Sequence, residues 1–369
     1  MSASRPPRKP RTRLRRFLVP LPAAVVLVGG VCLFVQSGSR VFHPRPGEEN
    51  VPAPEGLADQ LRDDVRHLSE TIGERHPYRP EALEAAAAWI EARFHALGYE
   101  VRRLPVEIPD GAPFHTGEMT VWNIEASRRG TERPNEVLVV GGHYDSKVAT
   151  PNWRAAGPPQ PQRLGTPGAN DNASAVAGLL AIAEHLAETE FRRTLRLVAF
   201  VNEEPPFFRT EAMGSLVYAR ALAAEPDTEV IGMISMDLIG CYSPQVRTKR
   251  IPGTGLVTGL VDRPDYVAFL SNRRSRHFAR EVAAVFQERG AITVRTAAIP
   301  AVHRSVAWSD DWAFWQVGIP AFTVTDTAWL RHDHYHELSD TWDRLDYPVM
   351  AEVVWGLART VGHLVGAGP

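Results

Sequence analysis

Several apolar stretches of this sequence end abruptly in histidine or carboxylate residues. The run VLVVGGHYD ends in His143 and Asp145, LVAFVNEE ends in Glu203 and Glu204, and IGMISMD ends in Asp237. Each run has the length and composition of a buried strand. Because ligands bind at the carboxyl ends of strands in open α/β sheets, we expect these side chains to meet in one crevice.

Imidazole and carboxylate groups are zinc ligands, and a catalytic zinc keeps one coordination position for water. Two divalent ions close together need a carboxylate that bridges them, and acidic ligands offset their combined charge. A carboxylate that is not a ligand can accept the proton of the attacking water. A single polar residue at a strand end is more commonly a turn or cap residue, but several together fit metal-assisted hydrolysis.

Composition narrows the kinds of metal site and partner. Of the two cysteines, Cys32 and Cys241, the first lies in an apolar N-terminal segment, so neither a disulfide scaffold nor a thiolate zinc site is expected. The net charge is −2, but residues 1–16 carry seven basic residues and no acid, which leaves −9 for the rest of the chain. An acidic body disfavours a nucleic-acid partner.

The N-terminal segment predicts a membrane anchor. Residues 17–35 are 19 uncharged, mostly apolar residues, enough at about 1.5 Å per residue to cross a hydrocarbon core of about 30 Å. We predict a basic cytoplasmic tail at 1–16, a transmembrane signal-anchor helix at 17–36 and a linker at 37–55. The domain of residues 56–369 would then lie outside the cytoplasm on a single-pass anchor. The alternative is a cleaved signal peptide and a secreted protein, although no clear cleavage site is present.

Helices and strands alternate along the rest of the chain, which predicts an α/β three-layer sandwich. Its central sheet is expected to be mixed and largely parallel, with helices on both faces. Helices are predicted over 57–72, 80–97, 173–188, 274–289 and 348–366, and strands over 101–108, 119–127, 136–140, 194–201, 229–236 and 321–325.

Five ordered segments resemble the co-catalytic zinc aminopeptidase family, which also includes glutamate carboxypeptidases, glutaminyl cyclases and transferrin-receptor-like proteins. The resemblance covers residues 57–366, and its order and spacing are more specific than any one segment. The segments are GGHYDS (141–146), GANDNASAVAGLL (168–180), NEEPPFF (202–208), SMDLIG (235–240) and HYHELSDTWDRLDY (334–347).

The resemblance implies the zinc aminopeptidase fold and two zinc ions that share one bridging carboxylate. The implied ligands are His143 and Asp237 on the first ion, Glu204 and His336 on the second, and Asp171 on both. Glu203 would be the general base, and Asp145 would orient the imidazole of His143. Tyr242 and Tyr335 are both candidates for a donor to the oxyanion.

The implied function is that of a zinc-dependent exopeptidase, in particular an aminopeptidase that removes N-terminal residues from peptides. Two alternatives use the same fold: a glutaminyl cyclase, which uses one zinc, and a non-catalytic, receptor-like ectodomain. A carboxypeptidase also remains open, as does the oligomeric state.

The sequence departs from the family's pattern at three places. Residues 309–311 read Ser-Asp-Asp where the family often has Ser-Asp-His, which predicts a changed pocket wall. Residues 205–212, PPFFRTEA, replace a short glycine-rich turn and are expected to alter the rim of the site. His332 and His334 compete with His336 as ligands, but the spacing to the following Asp-Thr pair favours His336.

Overall fold

The structure, a computed structural model, describes residues 40–43, 51–111, 117–148, 165–242, 265–299, 309–328 and 331–367. Nine strands in these ranges form one sheet. They are β1 (Arg40–Phe42), β2 (Glu100–Ile108), β3 (Met119–Arg128), β4 (Arg133–His143), β5 (Arg193–Phe200), β6 (Glu229–Met236), β7 (Tyr266–Ser271), β8 (Thr293–Ala298) and β9 (Ala321–Thr325).

Helices connect many of these strands. The α-helices are α1 (Leu57–Arg66), α2 (Pro80–Ala96), α3 (Ser174–His185), α4 (Gly214–Ala223), α5 (Arg276–Arg289), α6 (Asp311–Gln316) and α7 (Tyr347–Val365). Short helical turns also occur at His67–Ile72, Ala169–Ala173 and Trp342–Arg344.

The strand order is β1-β8-β7-β9-β6-β4-β5-β3-β2. The four central strands, β5-β4-β6-β9, are mutually parallel. The α/β class and the mixed sheet are confirmed, but the expectation of a largely parallel sheet is wrong, because four of the eight described pairings are antiparallel. One reason is that the connection from β2 (ending at Ile108) to β3 (beginning at Met119) is short, and a short connection favours an antiparallel pair.

The central strands are buried on both faces, which explains their almost continuous apolar sequences. Successive side chains of a strand point to opposite faces. Leu138 and Val140 of β4 therefore pack in one core with α1, α2, α3, α5 and α7. Val137 and Val139 pack in the other core with α4 and α6. Helices thus cover both faces of the sheet in three layers.

The predicted anchor, residues 17–36, lies outside the described residues, as does the predicted tail at 1–16. No helix in the described ranges is both long and apolar enough to cross a membrane. The predicted linker at 37–55 contains β1, which pairs with the edge strand β8. The backbone N–H of Ala53 also donates to the Glu352 carboxylate on α7. Parts of this segment are therefore attached to the domain.

Candidate active site

The carboxyl ends of the four parallel strands lie along one edge of the sheet and supply most of the candidate site. His143 is the last residue of β4, Glu203 and Glu204 follow β5, and Asp237 follows β6. His336 lies in the segment between β9 and α7. The buried runs noticed in the sequence therefore end where the topology brings them together.

Close backbone packing requires small residues just before His143. A Cβ atom at Gly142 would lie 2.6 Å from the carbonyl oxygen of Met236 and 3.1 Å from the Cβ of Ala175. Glycine therefore lets β4 approach β6 and α3 at this point. The close approach places His143 next to Asp237.

Three residues at the site have left-handed backbone conformations that are unusual for side-chain-bearing residues. Asn202, Leu238 and His336 have φ angles of 60°, 53° and 60°. Hydrogen bonds hold the first two turns: the Asn202 amide donates to the Ala212 carbonyl at 3.0 Å, and the Leu238 N–H donates to Asn172 Oδ1 at 3.1 Å. The turns direct the adjacent Glu203 and Asp237 side chains.

Two groups of potential metal ligands share Asp171. In the first group, His143 Nε2 lies 3.4 Å from Asp171 Oδ1 and 3.6 Å from Asp237 Oδ1. In the second group, His336 Nε2 lies 3.1 Å from Asp171 Oδ2 and 3.2 Å from Glu204 Oε1. The two carboxylate oxygens of Asp171 therefore face different groups, as a bridging ligand requires.

The residues present fit zinc. Within the described ranges, three buried ligand atoms have no hydrogen-bond partner: His143 Nε2, Glu204 Oε1 and Asp237 Oδ1. Buried polar atoms almost always have partners, so three such atoms facing the two groups indicate that a cation completes the arrangement. Imidazole nitrogen and carboxylate oxygen are the donor types that zinc takes.

Glu203 belongs to neither ligand group but lies beside the first. Its Oε2 is 3.7 Å from His143 Nε2. Burial raises the pKa of Glu203 well above its ordinary value; His143 opposes the rise, and Glu204, Asp237 and Asp310 reinforce it. A carboxylate whose proton affinity is raised next to a metal site is suited to accept a proton.

Asp145 joins the ends of β4 and β5. Its carboxylate accepts the backbone N–H of Glu203 at 3.1 Å and of Glu204 at 3.0 Å. Its carbonyl oxygen lies 3.1 Å from His143 Nδ1, and its Oδ1 lies 3.5 Å from the same nitrogen. Asp145 is thus placed to orient the imidazole, and it also fixes the two glutamates, which the sequence did not indicate.

The segment that carries Asp171 is held by Asp340. The Asp340 carboxylate accepts the N–H of Asn170 at 2.9 Å and of Asp171 at 3.1 Å. His332 supports this carboxylate, because its Nε2 lies 3.0 Å from Asp340 Oδ1. His334 is directed elsewhere, with Nδ1 2.7 Å from Ser339 Oγ. Of the three histidines of this segment, the structure brings His336 to the ligand group.

Arg75, which sequence reasoning missed, is completely buried. It donates to the carbonyl oxygens of Tyr144, Leu68, Gly73, Pro167 and Gly168 at 2.7–3.0 Å. Its partners include residues just after His143 and just before Asp171. No local motif signals this role, since the carbonyls come from three separate parts of the chain.

Asp310 and Asp311 begin α6 and are completely buried. Burial raises the pKa of Asp310 to about 7 and that of Asp311 well above its ordinary value. Neither belongs to a ligand group or lines the described cavity. The change of the pocket wall expected from Asp311 therefore stays a prediction.

A small cavity of about 30 Å³ opens at the ligand groups. Its lining comprises Asp171, Glu203, Glu204, Pro205, Phe208, Asp237, Leu238, Tyr335 and His336. Pro205 and Phe208 of this lining belong to the segment that is expected to alter the rim, and the alteration itself stays a prediction. Tyr335 lines the cavity, whereas Tyr242 is buried and is not part of the described lining.

The fold and the site define a metallopeptidase of the zinc-dependent α/β class, and the comparisons identify the family. The model of peptidase family M28 matches residues 123–361, so the chain belongs to that family. The resemblance inferred from the five segments is confirmed, and with it a zinc peptidase, a hydrolase that acts on peptides.

Two relatives illustrate the family. The chain is 33% identical to the uncharacterized protein YfbL of Escherichia coli (strain K12) over 334 residues, covering 90% of this chain and 97% of the relative. It is 28% identical to a probable zinc metalloprotease of Pyrenophora teres f. teres over 318 residues, covering 76% of this chain and 61% of the relative.

Solved structures confirm the fold. A zinc aminopeptidase from Bacillus subtilis superimposes with a TM-score of 0.60 at 14% identity, covering 84% of this chain and 95% of that one. A glutaminyl cyclase from Fimbriiglobus ruber gives 0.59 at 20% identity, covering 86% and 98%. Because both activities occur on this fold, fold similarity alone does not choose between them.

Proposed function

We propose that this protein is a two-zinc aminopeptidase that removes single residues from the N-termini of peptides. The observation that carries the proposal is the pair of ligand groups that share Asp171, with Glu203 beside them but in neither. One group would consist of His143, Asp171 and Asp237. The other would consist of Asp171, Glu204 and His336.

Bound zinc would polarise the scissile carbonyl and make a water more acidic. Glu203 would accept the proton of the attacking water and would then deliver it to the departing amine. Asp145 would keep Glu203 and Glu204 in register through their backbone N–H groups. Tyr335, in the cavity wall, is the better placed of the two tyrosines to donate to the oxyanion.

The cavity supports exopeptidase action on an amino terminus. Its volume of about 30 Å³ is too small to enclose an extended peptide. Zinc would offset the charge of the three ligand carboxylates in its wall, so that Glu203 remains to attract the α-amine of the terminal residue. Pro205, Phe208 and Leu238 supply an apolar surface for the side chain of that residue.

The test is hydrolysis of a panel of aminoacyl-p-nitroanilides by the purified chain, each compared with its N-acetylated form. We expect cleavage of the free-amine substrates, greatest for apolar residues, and loss of activity on removal of zinc with a chelator. Equal cleavage of the acetylated forms would refute the aminopeptidase assignment.

The glutaminyl cyclase alternative is tested in parallel with a peptide that begins with glutamine. The proposal predicts release of free glutamine. Formation of a pyroglutamyl peptide with release of ammonia, without peptide-bond cleavage, would favour the cyclase instead. A properly folded, zinc-loaded chain inactive on all these substrates would favour the receptor-like alternative.

We also propose that residues 17–36 anchor the protein in a membrane with the catalytic domain outside the cytoplasm. The length and apolar character of this run and its basic flank support the proposal. Extraction of cell membranes with alkaline carbonate tests it: an anchored chain stays with the membranes, whereas release into the supernatant would favour the secreted alternative.

A further inference from the structure

Two arginines, Arg75 and Arg331, are almost completely buried and differ in how their charges are satisfied. Arg75 donates to five carbonyl oxygens. Arg331 is 1% exposed and donates from Nη1 to the Tyr266 carbonyl at 2.9 Å. Among the residues that the structure describes, its Nε and Nη2 have no hydrogen-bond partner. A buried, unsatisfied cationic donor is costly, so Arg331 needs an explanation.

The two unsatisfied nitrogens form one edge of the guanidinium. Nε–H and the nearer Nη2–H bond point in the same direction and form a fork suited to an anion. Two contacts with Tyr266 restrain the guanidinium: Cζ lies 4.1 Å from the ring centre, and Nη1 donates to the backbone carbonyl.

Two further unsatisfied hydroxyl groups lie close to Arg331. Tyr242 OH and Thr327 Oγ1 are buried and have no hydrogen-bond partner among the described residues. Arg331 Cζ lies 5.8 Å from the centre of the Tyr242 ring. Burial raises the pKa of Tyr266, while the charge of Arg331 and hydrogen bonding from Arg331 and Thr327 oppose the rise, so both side chains lie within reach of the Tyr266 hydroxyl. Three side chains thus bring four donors into one region, and a single hydroxyl cannot accept from all of them.

The nearby carboxylate does not neutralise Arg331 directly. Asp326 Oδ2 accepts from Asn170 Nδ2 and from the Cys241 N–H, and Oδ1 accepts from the Ala328 N–H. No ion pair between Asp326 and Arg331 occurs within 4.0 Å in the described part of the chain. Asp326 therefore supplies no acceptor to Nε and Nη2 of Arg331.

We propose that Arg331, Tyr242 and Thr327 form a binding site for a small inorganic anion of the halide class, chloride under ordinary conditions. Guanidinium and hydroxyl donors suit a halide, which has no proton to donate. The three residues are 1%, 3% and 5% exposed, which is too enclosed for the carboxylate of a peptide. Nothing in the zinc site or the peptidase reaction requires these donors.

The anion would secure the segment that carries His336. Arg331 and Thr327 belong to the connection between β9 and α7, five and nine residues before His336. Tyr242 follows Asp237 by five residues at the end of β6. An anion between them would link the segments that supply one ligand to each metal group. This site is independent of the proposed substrate specificity.

Bromide, which replaces chloride and scatters anomalously, tests the site directly. Crystals of the full-length, zinc-loaded chain are soaked in sodium bromide and measured at the bromine absorption edge. We expect an anomalous peak at the open edge of Arg331. In solution, the midpoint of thermal unfolding should rise by about 3 °C between 1 and 100 mM sodium chloride relative to sodium gluconate at equal ionic strength.

Conservative variants distinguish the site from general salt effects. Thr327→Val and Tyr242→Phe remove one donor each and should weaken the chloride response at least several-fold. The matched controls are Thr360→Val and Tyr99→Phe, because their hydroxyls donate to Gly356 and Ala183 carbonyls elsewhere. Any of three results would overturn the proposal: equal responses to chloride and gluconate, no bromide peak, or an unchanged chloride response in both test variants. None of these results would bear on the proposed peptidase, which is tested separately by zinc content and activity.

Discussion

Two adjacent glutamates of like chemistry occupy different positions at the strand end after β5. Glu204 directs Oε1 towards His336, while Glu203 lies beside His143. The difference follows from local geometry, since adjacent side chains diverge as the strand ends and Asp145 holds both backbone N–H groups. The site can therefore assign one carboxylate to metal binding and the other to proton transfer.

Substitution of Glu203 tests this division at the residue scale. Glu203→Gln keeps the size of the side chain but removes its ability to accept a proton. We expect kcat/KM to fall by about 10²–10⁴-fold, with zinc content unchanged. Glu229→Gln, at the opposite end of the sheet in β6, is the control and should retain activity. Retained activity in Glu203→Gln would show that another group is the base.

At the scale of the elements, the site depends on connections that lie apart in sequence. Arg75 follows α1 and its helical turn, yet it binds the carbonyls of Tyr144 and of Pro167 and Gly168. These carbonyls belong to the segments that carry His143 and Asp171. The guanidinium therefore couples the two segments through the backbone.

Loss of Arg75 should destabilise the domain strongly. Arg75→Met would leave several buried carbonyls unsatisfied, and we expect the free energy of unfolding to fall by about 3–5 kcal/mol. Arg79→Met is the control, because Arg79 is exposed and pairs with Glu74, an interaction worth about 0–1 kcal/mol. Urea unfolding measures both variants. A change below about 1 kcal/mol in Arg75→Met would contradict the role assigned to this residue.

The sequence predicted those elements whose signal is local. The bounds of β6 and β9 match the prediction, and the central strands end in the residues that form the site. β1, β7, β8, α4 and α6 were not predicted, since short segments such as Tyr266–Ser271 and Thr293–Ala298 carry little local signal until their pairing is known. The antiparallel edges and the Arg75 contacts depend on the folded chain, and no spacing rule reveals them.

At the scale of the whole molecule, the carboxylates of the site favour positive charge on its two histidines. Burial disfavours the charged form of His336, but Glu204 and Asp171 outweigh it and raise the pKa of His336 to about 9. The pKa of His143 is also raised: burial opposes the charge, but Glu203 and other carboxylates prevail. Without zinc, the folded chain therefore binds protons at these positions more tightly than the unfolded chain does.

The zinc-free protein should accordingly lose stability as the pH rises. The contribution of His336 is fully present below its unfolded pKa of about 6.5 and is lost as the pH rises through about 9. Zinc must displace these protons, so its affinity should increase over the same window. Thermal unfolding of chelator-treated protein at several pH values measures the first effect, and His336→Ala should reduce the slope. Stability that increases between pH 6.5 and 9 would contradict this charge balance.

The central claim is that two zinc ions share Asp171, and zinc content after removal of loosely bound metal tests it most directly. We predict two zinc ions per chain for the unmodified protein and one for His336→Ala. His334→Ala is the matched control and should keep two, because the His334 ring faces Ser339 instead of the ligand group. One zinc per unmodified chain, or equal zinc contents in the two variants, would contradict the account.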